Sequence, residues 1–418
     1  MAETTIIGLD LGSSCVRVAV AQPLPGEDGK PRLHIIGAVS LPSEGVHKGT
    51  VSSMEEAVSS ISKVLERAER MTGVPLNTAW VAIAGQNMLV QESRGVVGVT
   101  RPDGEIREDD VARAMEAART VATPSNYEIL HVIPKSFTVD GQRGIKDPVC
   151  MNGIRLEVDA LIIQALSSSM KNLTKSIYRT GLDIEDLVYA PLATAEAVLT
   201  QRQKELGVCV VNIGAGSTSL AVFEEGDLIH TAVLPIGGDR VTSDIGTILR
   251  VPPEIAETVK LTYGHAVPDA VDRKHTFMLK ELGADVDEVV KRRFIAEIVE
   301  SRIEELFEAI DAELRKVDRS GMLPVGVMLT GGGAKLEGIV DVARRVLRLP
   351  CSIAVPVAVS SVIDEVYDPA FATVIGLTVW GYTVKGMNKN RFGGFLNKFK
   401  SVDKVAEQIG KWFKSLVP

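Results

Sequence analysis

Cysteine is scarce in this chain. Its four residues, Cys15, Cys150, Cys209 and Cys351, stand far apart in 418 and form no C-x-x-C pair. Such spacing signals neither a zinc site nor a disulfide framework and fits a reducing cytoplasm. No apolar run reaches the eighteen or so residues that a spanning helix requires, so membrane contact is expected to be peripheral. The first residues, Met1 to Thr5, include an acid and lead into a strand pattern, without the basic and apolar stretches of a signal peptide. An excess of positive charge is missing too. The formal net charge of -8 is spread along the chain, which argues against a nucleic-acid backbone as the main partner.

What remains is an ordinary globular composition, 45% apolar and 24% charged, over a length that suits two to four subdomains. An internal repeat organises it. Residues 6 to 20, IIGLDLGSSCVRVAV, align without gaps on residues 208 to 222, VCVVNIGAGSTSLAV, so that Asp10 falls on Asn212 and Gly12 on Gly214. Each copy reads as a strand, a glycine turn with small hydroxyl residues, and a second strand. Glycine and serine let consecutive N–H groups approach an anion without a blocking Cβ, as phosphate binding requires. One copy alone would pass for a plain hairpin turn.

A third glycine cluster, Gly331-Gly332-Gly333, is predicted to end a buried strand at Thr330 and to open a helix near Lys335. Such a turn suits close approach by a nucleoside or phosphate, or is simply a tight connection. Two more segments echo one another, PLATAEAVL at 191 to 199 and PAFATVIGL at 369 to 377. Both predict proline-started helices of small residues that cross closely, like paired hinges.

In this order the motifs resemble the superfamily of actin, DnaK-type chaperones and sugar kinases. Within it, LHVIP, GIKDPV and NGIRLE in residues 128 to 164, with KLTYGHA and VMLTGGGA later, resemble the FtsA family of bacterial cell-division proteins. The resemblance implies an α/β, actin-like, two-lobed fold with duplicated mixed-sheet subdomains and an FtsA-type extra subdomain in the first lobe. The expected division is a first-lobe core of 1–84, 165–206 and 365–384, an inserted subdomain at 85–164, a second-lobe core of 207–240 and 318–364, and an outer subdomain at 241–317. A short tether at 385–394 and an amphipathic segment at 395–418 complete it.

The resemblance also implies a function: an ATP-binding protein that forms filaments with itself and attaches the tail of the tubulin-like FtsZ to the cytoplasmic face of the membrane at the septum, where later division proteins join. ATP or ADP with Mg2+ is expected between the lobes. Asp10 is expected to orient water around magnesium. Gly12, Ser13, Ser14, Asn212, Gly214, Ala215, Gly216 and Ser217 are expected along the phosphates, and Gly331, Gly332, Gly333 and Lys335 along the nucleoside. Arg302 and Glu305 fall where relatives contact adenine and ribose, unless they form a plain ion pair. Glu196 aligns with the residue that orients the attacking water, or is a helix-surface charge. At Asn212 the superfamily's usual aspartate is replaced by an amide, which cannot act as a base. That predicts at most a weak ATPase. Lys291, Arg292 and Arg293 are candidate contacts for an acidic FtsZ tail, or a solvated basic face.

A 100° step places Phe395, Phe399, Val402, Ala406, Ile409, Trp412, Phe413, Leu416 and Val417 on one face, interrupted only by Lys398, whose long stem can lift its ammonium toward the headgroups, with Lys400, Lys404, Lys411 and Lys414 opposite. From Arg391 onward six basic and two acidic residues give +4, which favours an anionic lipid surface. A helix packed on the body of the protein would share this pattern, but the glycine- and lysine-bearing stretch from Gly381 to Gly394 reads as a tether. A PilM-like pilus-assembly protein and a small-molecule kinase are the rival members of the superfamily.

Overall fold

The computed structural model describes residues 5–25, 31–120, 123–285 and 287–387. The tail residues named above, from Phe395 to Val417, lie outside the described residues, as does most of the expected tether. The first lobe holds β1 (Ile6–Leu11), β2 (Cys15–Pro25), β3 (Pro31–Pro42), the short hairpin β4 (Val46–His47) and β5 (Thr50–Val51), α1 (Met54–Thr72) and β6 (Thr78–Ile83). The inserted subdomain follows, with β7 (Met88–Gly98), α2 (Glu108–Arg119), β8 (Tyr127–Val139), β9 (Gln142–Ile145) and β10 (Arg155–Leu166). The chain then returns to the first lobe with α3 (Ser167–Tyr178), β11 (Asp183–Tyr189), α4 (Ala190–Val198) and α5 (Gln201–Leu206). In the second lobe come β12 (Val208–Ile213), β13 (Thr218–Glu224), β14 (Asp227–Leu234), α6 (Gly238–Leu249), α7 (Pro253–Tyr263), β15 (Thr276–Met278), β16 (Val289–Lys291), α8 (Arg292–Arg315), β17 (Gly326–Thr330), α9 (Ile339–Leu347) and β18 (Cys351–Ile353). Last comes α10 (Ala372–Met387).

The two main sheets repeat one another strand for strand. The first runs β11-β6-β1-β2-β3, the second β18-β17-β12-β13-β14. In each, the central strand is parallel to one neighbour and forms an antiparallel hairpin with the other. Because helices cover both faces, Ile6, Leu9, Val208 and Val211 are all buried, which explains why β1 and β12 read as continuous apolar runs rather than alternating ones.

The insert leaves the first lobe after β6, where the second lobe has its triple glycine after β17. Its sheet, ordered β7-β10-β8-β9, packs one face on α2 around Ile106, Leu156, Val158 and Ile162, which form a core of their own. Lys146, just past β9, reaches the tip between β13 and β14, with its Nζ 3.3 Å from an Asp227 carboxylate oxygen.

Two expectations need correction. No α-helix begins at Lys335; residues 332–335 form a 3-10 turn and α9 starts only at Ile339, after Gly338 takes φ 78°. Nor is Gly381 part of a tether. Helix α10 continues to Met387, and Gly381 lies against the Trp80 ring, where a Cβ would come within 2.4 Å of Nε1.

His131 on β8 joins the insert to the hinge region. It is 2% exposed, and its Nε2 accepts the Tyr189 N–H at 3.1 Å. Burial pushes its pKa from the ordinary 6.5 down to about 4. A depressed histidine contributes stability that is complete above the unfolded value and is lost as pH falls toward the folded one, here about 3 kcal/mol in all. The urea midpoint is therefore expected to drop between pH 6.5 and 4.5. His131→Gln, which keeps an acceptor without a titrating ring, should flatten that limb of the curve.

Candidate functional site

Both glycine turns close with the same hydrogen bond. Gly12 N–H donates to the Cys15 carbonyl at 3.1 Å, and Gly214 N–H donates to the Ser217 carbonyl at 2.9 Å. The 202-residue offset of the sequence repeat is thus preserved down to the turn geometry. The turns face each other across the lobes. A Cβ on Gly216 would stand 2.9 Å from both Ser13 Oγ and the Lys48 Cα. The β4–β5 turn wedges between them, with Lys48 at φ 48° and Gly49 donating its N–H to Ser13 Oγ at 3.1 Å.

Helix α6 starts directly on the second turn. Gly238 and Asp239 donate their N–H groups to the carbonyls of Gly214 and Ala215, each at 2.9 Å. The triple glycine closes the other side. Gly331, at φ 85°, lies where a Cβ would meet Asn212 Oδ1 at 2.2 Å, so only glycine lets β17 turn this close to β12. Gly332 has open space beside it.

Charges converge on the same place. Burial raises the Asp10 pKa, and Arg17, its register partner on β2, pulls it back down. Among the described residues, Arg17 Nε and Thr218 Oγ are buried without a hydrogen-bond partner, the Arg17 guanidinium lying over the Phe371 ring at 5.8 Å, and both belong to the glycine-turn hairpins. Asp239 is also raised, chiefly by burial, with Lys260 opposing, Glu257 adding to it and His47 opposing. The Lys260 ammonium donates to Thr242 Oγ at 2.9 Å and the Gly238 carbonyl at 3.3 Å. A cavity of about 30 Å³ beside Asp10, bounded by Thr50, Asn87 and Ser169, has room for a water. Arg17, Lys48, Asp239 and Lys260 were missed by the sequence reading. A cation seven residues beyond Asp10, and the Gly-Gly-Asp run opening α6, were the available signals.

Orphaned donors beside two anion-ready turns are what a phosphate chain would satisfy. One partly buried carboxylate with room for water suits magnesium, which keeps several waters and needs few carboxylates. ATP or ADP with Mg2+ therefore fits these residues.

Other candidates are engaged elsewhere. Asn212 donates through Nδ2 to the hydroxyls of Thr373, at 2.8 Å, and Thr194, at 3.3 Å, so its amide ties both hinge helices to β12. Glu196 has a partner of its own. Two residues past Thr194 it points to another side of α4, and its carboxylate pairs with the nearly buried Lys204 at 2.7 Å, near Phe223 at the far end of β13 from the turn. Lys335 is held by Asp368 at 2.5 Å, and Arg302 grips Asp244 in a two-point pair and also bonds Glu305, so these charges are already matched. Of the basic triplet, Arg292 pairs with Glu337 and Arg293 with Asp269, which leaves Lys291 as the exposed member.

A family model described as "Cell division protein FtsA" matches residues 209–376, and one for the "SHS2 domain inserted in FTSA" matches 85–164. The chain is also 35% identical over 409 residues, 97% of each chain, to the cell division protein FtsA of Pseudomonas aeruginosa. This chain belongs to the FtsA family. Among solved structures it resembles a PilM-PilN type IV pilus biogenesis complex, with a TM-score of 0.64 at 18% identity, covering 90% of this chain and 98% of that one. It also resembles MreB5 of Spiroplasma citri bound to ADP, with a TM-score of 0.55 at 13% identity, covering 92% and 98%. At such identities the likeness to PilM and MreB shows the actin-like fold alone, whereas the FtsA relationship rests on the sequence along nearly the whole chain. The second glycine turn, the triple glycine and most of the second small-residue segment fall within the first family match, the first small-residue helix lies ahead of it, and the insert coincides with the second match.

Proposed function

We propose that this FtsA-family protein binds ATP, or its product ADP, with magnesium between the lobes, forms filaments with copies of itself, and tethers FtsZ to the cytoplasmic face of the cell membrane at the division site. The observation that carries the nucleotide reading is the pair of identically closed turns facing each other, with Arg17 Nε and Thr218 Oγ unpartnered beside them. Backbone N–H groups of Ser13 and Ser14 and of Ala215 to Ser217 would hold the β- and γ-phosphates, the Gly12 and Gly214 N–H groups being used to close the turns, and Arg17 would neutralise them. Magnesium would supply charge neutralisation between phosphate oxygens. Asp10 would hold its waters, relieving the cost of a buried lone carboxylate.

Slow turnover follows from two features of the residues. Asn212 is an amide locked to the hinge threonines, and Glu196 is spent on Lys204. The tail stripe from Phe395 to Val417 supports membrane attachment, and the exposed Lys291 in the outer subdomain is the remaining basic candidate for an acidic FtsZ tail. Later division proteins would meet the insert.

Two measurements test the reading. Equilibrium binding of fluorescent ATP should be magnesium-dependent in the parent chain, and Asp10→Asn should remove most of that dependence, with affinity falling about tenfold or more. Flotation with anionic vesicles should be lost when residues 395–418 are deleted. Magnesium-independent nucleotide binding would overturn the first part, and undiminished flotation of the truncated chain the second.

A further inference from the structure

A groove of about 360 Å³ lies on the first lobe, away from the cleft, bounded by Arg32 and Leu33 of β3, residues 357–360, and Val379 and Tyr382 of α10. The segment ahead of α10 adds itself to the edge of β3. Ile35 N–H donates to the Ser360 carbonyl at 2.9 Å, and Ser360 N–H donates to the Leu33 carbonyl at 3.0 Å. Val357, which lines the groove, is 56% exposed, and Val362, two residues beyond the paired Ser360, is 89% exposed. Directly beyond Val362, Asp364 and Glu365 are exposed, and neither has a side-chain ion pair among the described residues.

We propose that the groove is the resting place of the chain's own C-terminal segment, which occupies it when no membrane is present. The inference rests on the membrane reading of that segment. One side of the groove is formed by α10, the helix that leads into the tail, so tail and groove are permanently at high local concentration. Tyr382 is five residues from the end of α10, a helical rise of about 8 Å. The eight steps from Met387 to Phe395 can span up to roughly 26 Å. Phe395 and Phe399 are therefore within reach.

The chemistry matches on both sides. The groove has room for one or two aromatic side chains but not for a whole helix, so Phe395 and Phe399 would enter it while the rest of the apolar stripe lies over Val357 and Val362. The opposite face carries Lys400 and Lys404, which would meet Asp364 and Glu365. Left uncovered, that stripe would expose several large side chains, each worth about 1.5–3 kcal/mol when buried. The same stripe cannot lie on lipid and in the groove at once. Membrane binding therefore competes with self-docking.

The test uses the full chain. With Phe399→benzoylphenylalanine, irradiation without vesicles should give a cross-link within one molecule to a peptide containing residues 357–382. Cross-links only between molecules, or none to that peptide, overturn the proposal. Val357→Asp and, separately, Ala358→Trp should raise affinity for vesicles of phosphatidylglycerol and phosphatidylethanolamine three- to tenfold by freeing the tail. Unchanged affinity in both variants likewise overturns it. Flotation of the unsubstituted chain is read separately, because its failure would sink the membrane reading, whereas the cross-link reports on the groove without any lipid.

Discussion

Gly376→Val is expected to cost more than about 3 kcal/mol and to abolish nucleotide binding in whatever fraction still folds. At this position α10 crosses α4 so closely that a Cβ would stand 1.7 Å from the Ala193 carbonyl oxygen. No rotamer relieves such an overlap, because both clashing groups are fixed to backbone, and the helices must move apart. Three residues earlier, Thr373 shares a hydrogen bond of 2.9 Å with Thr194, and both hydroxyls receive the Asn212 amide. Separating the helices therefore pulls on β12 where the second glycine turn begins. Gly376→Ala should show the same effect in weaker form, near 1–3 kcal/mol, with a measurable loss of ATP affinity. Urea denaturation and fluorescence-detected nucleotide binding on the same samples check both halves. Full affinity in a stable Gly376→Val protein would show that the crossing is not coupled to the cleft.

Lys204→Met should destabilise the protein by about 3–5 kcal/mol, because it strands the mostly buried Glu196 carboxylate without its partner. The Lys204 side chain is 4% exposed and its ammonium also lies 5.3 Å from the centre of the Phe223 ring, and with Glu196 only 18% exposed water replaces the lost contact in part at most. Removing both charges, as Lys204→Met with Glu196→Leu, should recover most of the loss, since a well-packed apolar pair is often no worse than a buried ion pair. The same series decides what Glu196 does. If it served the reacting phosphate, Glu196→Gln would cut turnover with stability nearly intact. The ion pair predicts the reverse, a stability loss with turnover unchanged, measured by urea midpoint and phosphate release.

The fold was legible because it is written twice. Two runs at a fixed offset, each with a glycine turn, foretold two sheets of the same strand order, and small residues at Ala193 and Gly376 foretold the helix crossing. Side-chain partners were not legible. Glu196 sits in a motif that suggests chemistry, but helical geometry turns it away from Thr194 and toward a lysine on the next helix. Arg302, Lys335, Arg292 and Arg293 each looked available as isolated letters, and each meets a carboxylate distant in sequence. Conversely, Arg17 drew no notice as one cation in an apolar strand. Only antiparallel register sets it opposite Asp10. Lys48 and Asp239 became visible when the lobes were brought face to face.

The insert touches both halves of the molecule. At its root, Gly85 packs against Gly49, whose N–H is bonded to Ser13 in the first turn, and at its other side Lys146 pairs with the β13–β14 tip. Hinge helices and insert therefore join the lobes in parallel, as the links of a closed linkage. Widening the cleft at this edge would require the insert to swing or its Lys146 contacts to break. Lys146 is half exposed and Glu225 exposed, so that pair is worth about 1 kcal/mol or less, whereas Asp227 is mostly buried and makes the firmer contact. In mechanical terms the insert is placed as a clutch would be: any rotation that parts the lobes at this edge has to break the Lys146 contacts.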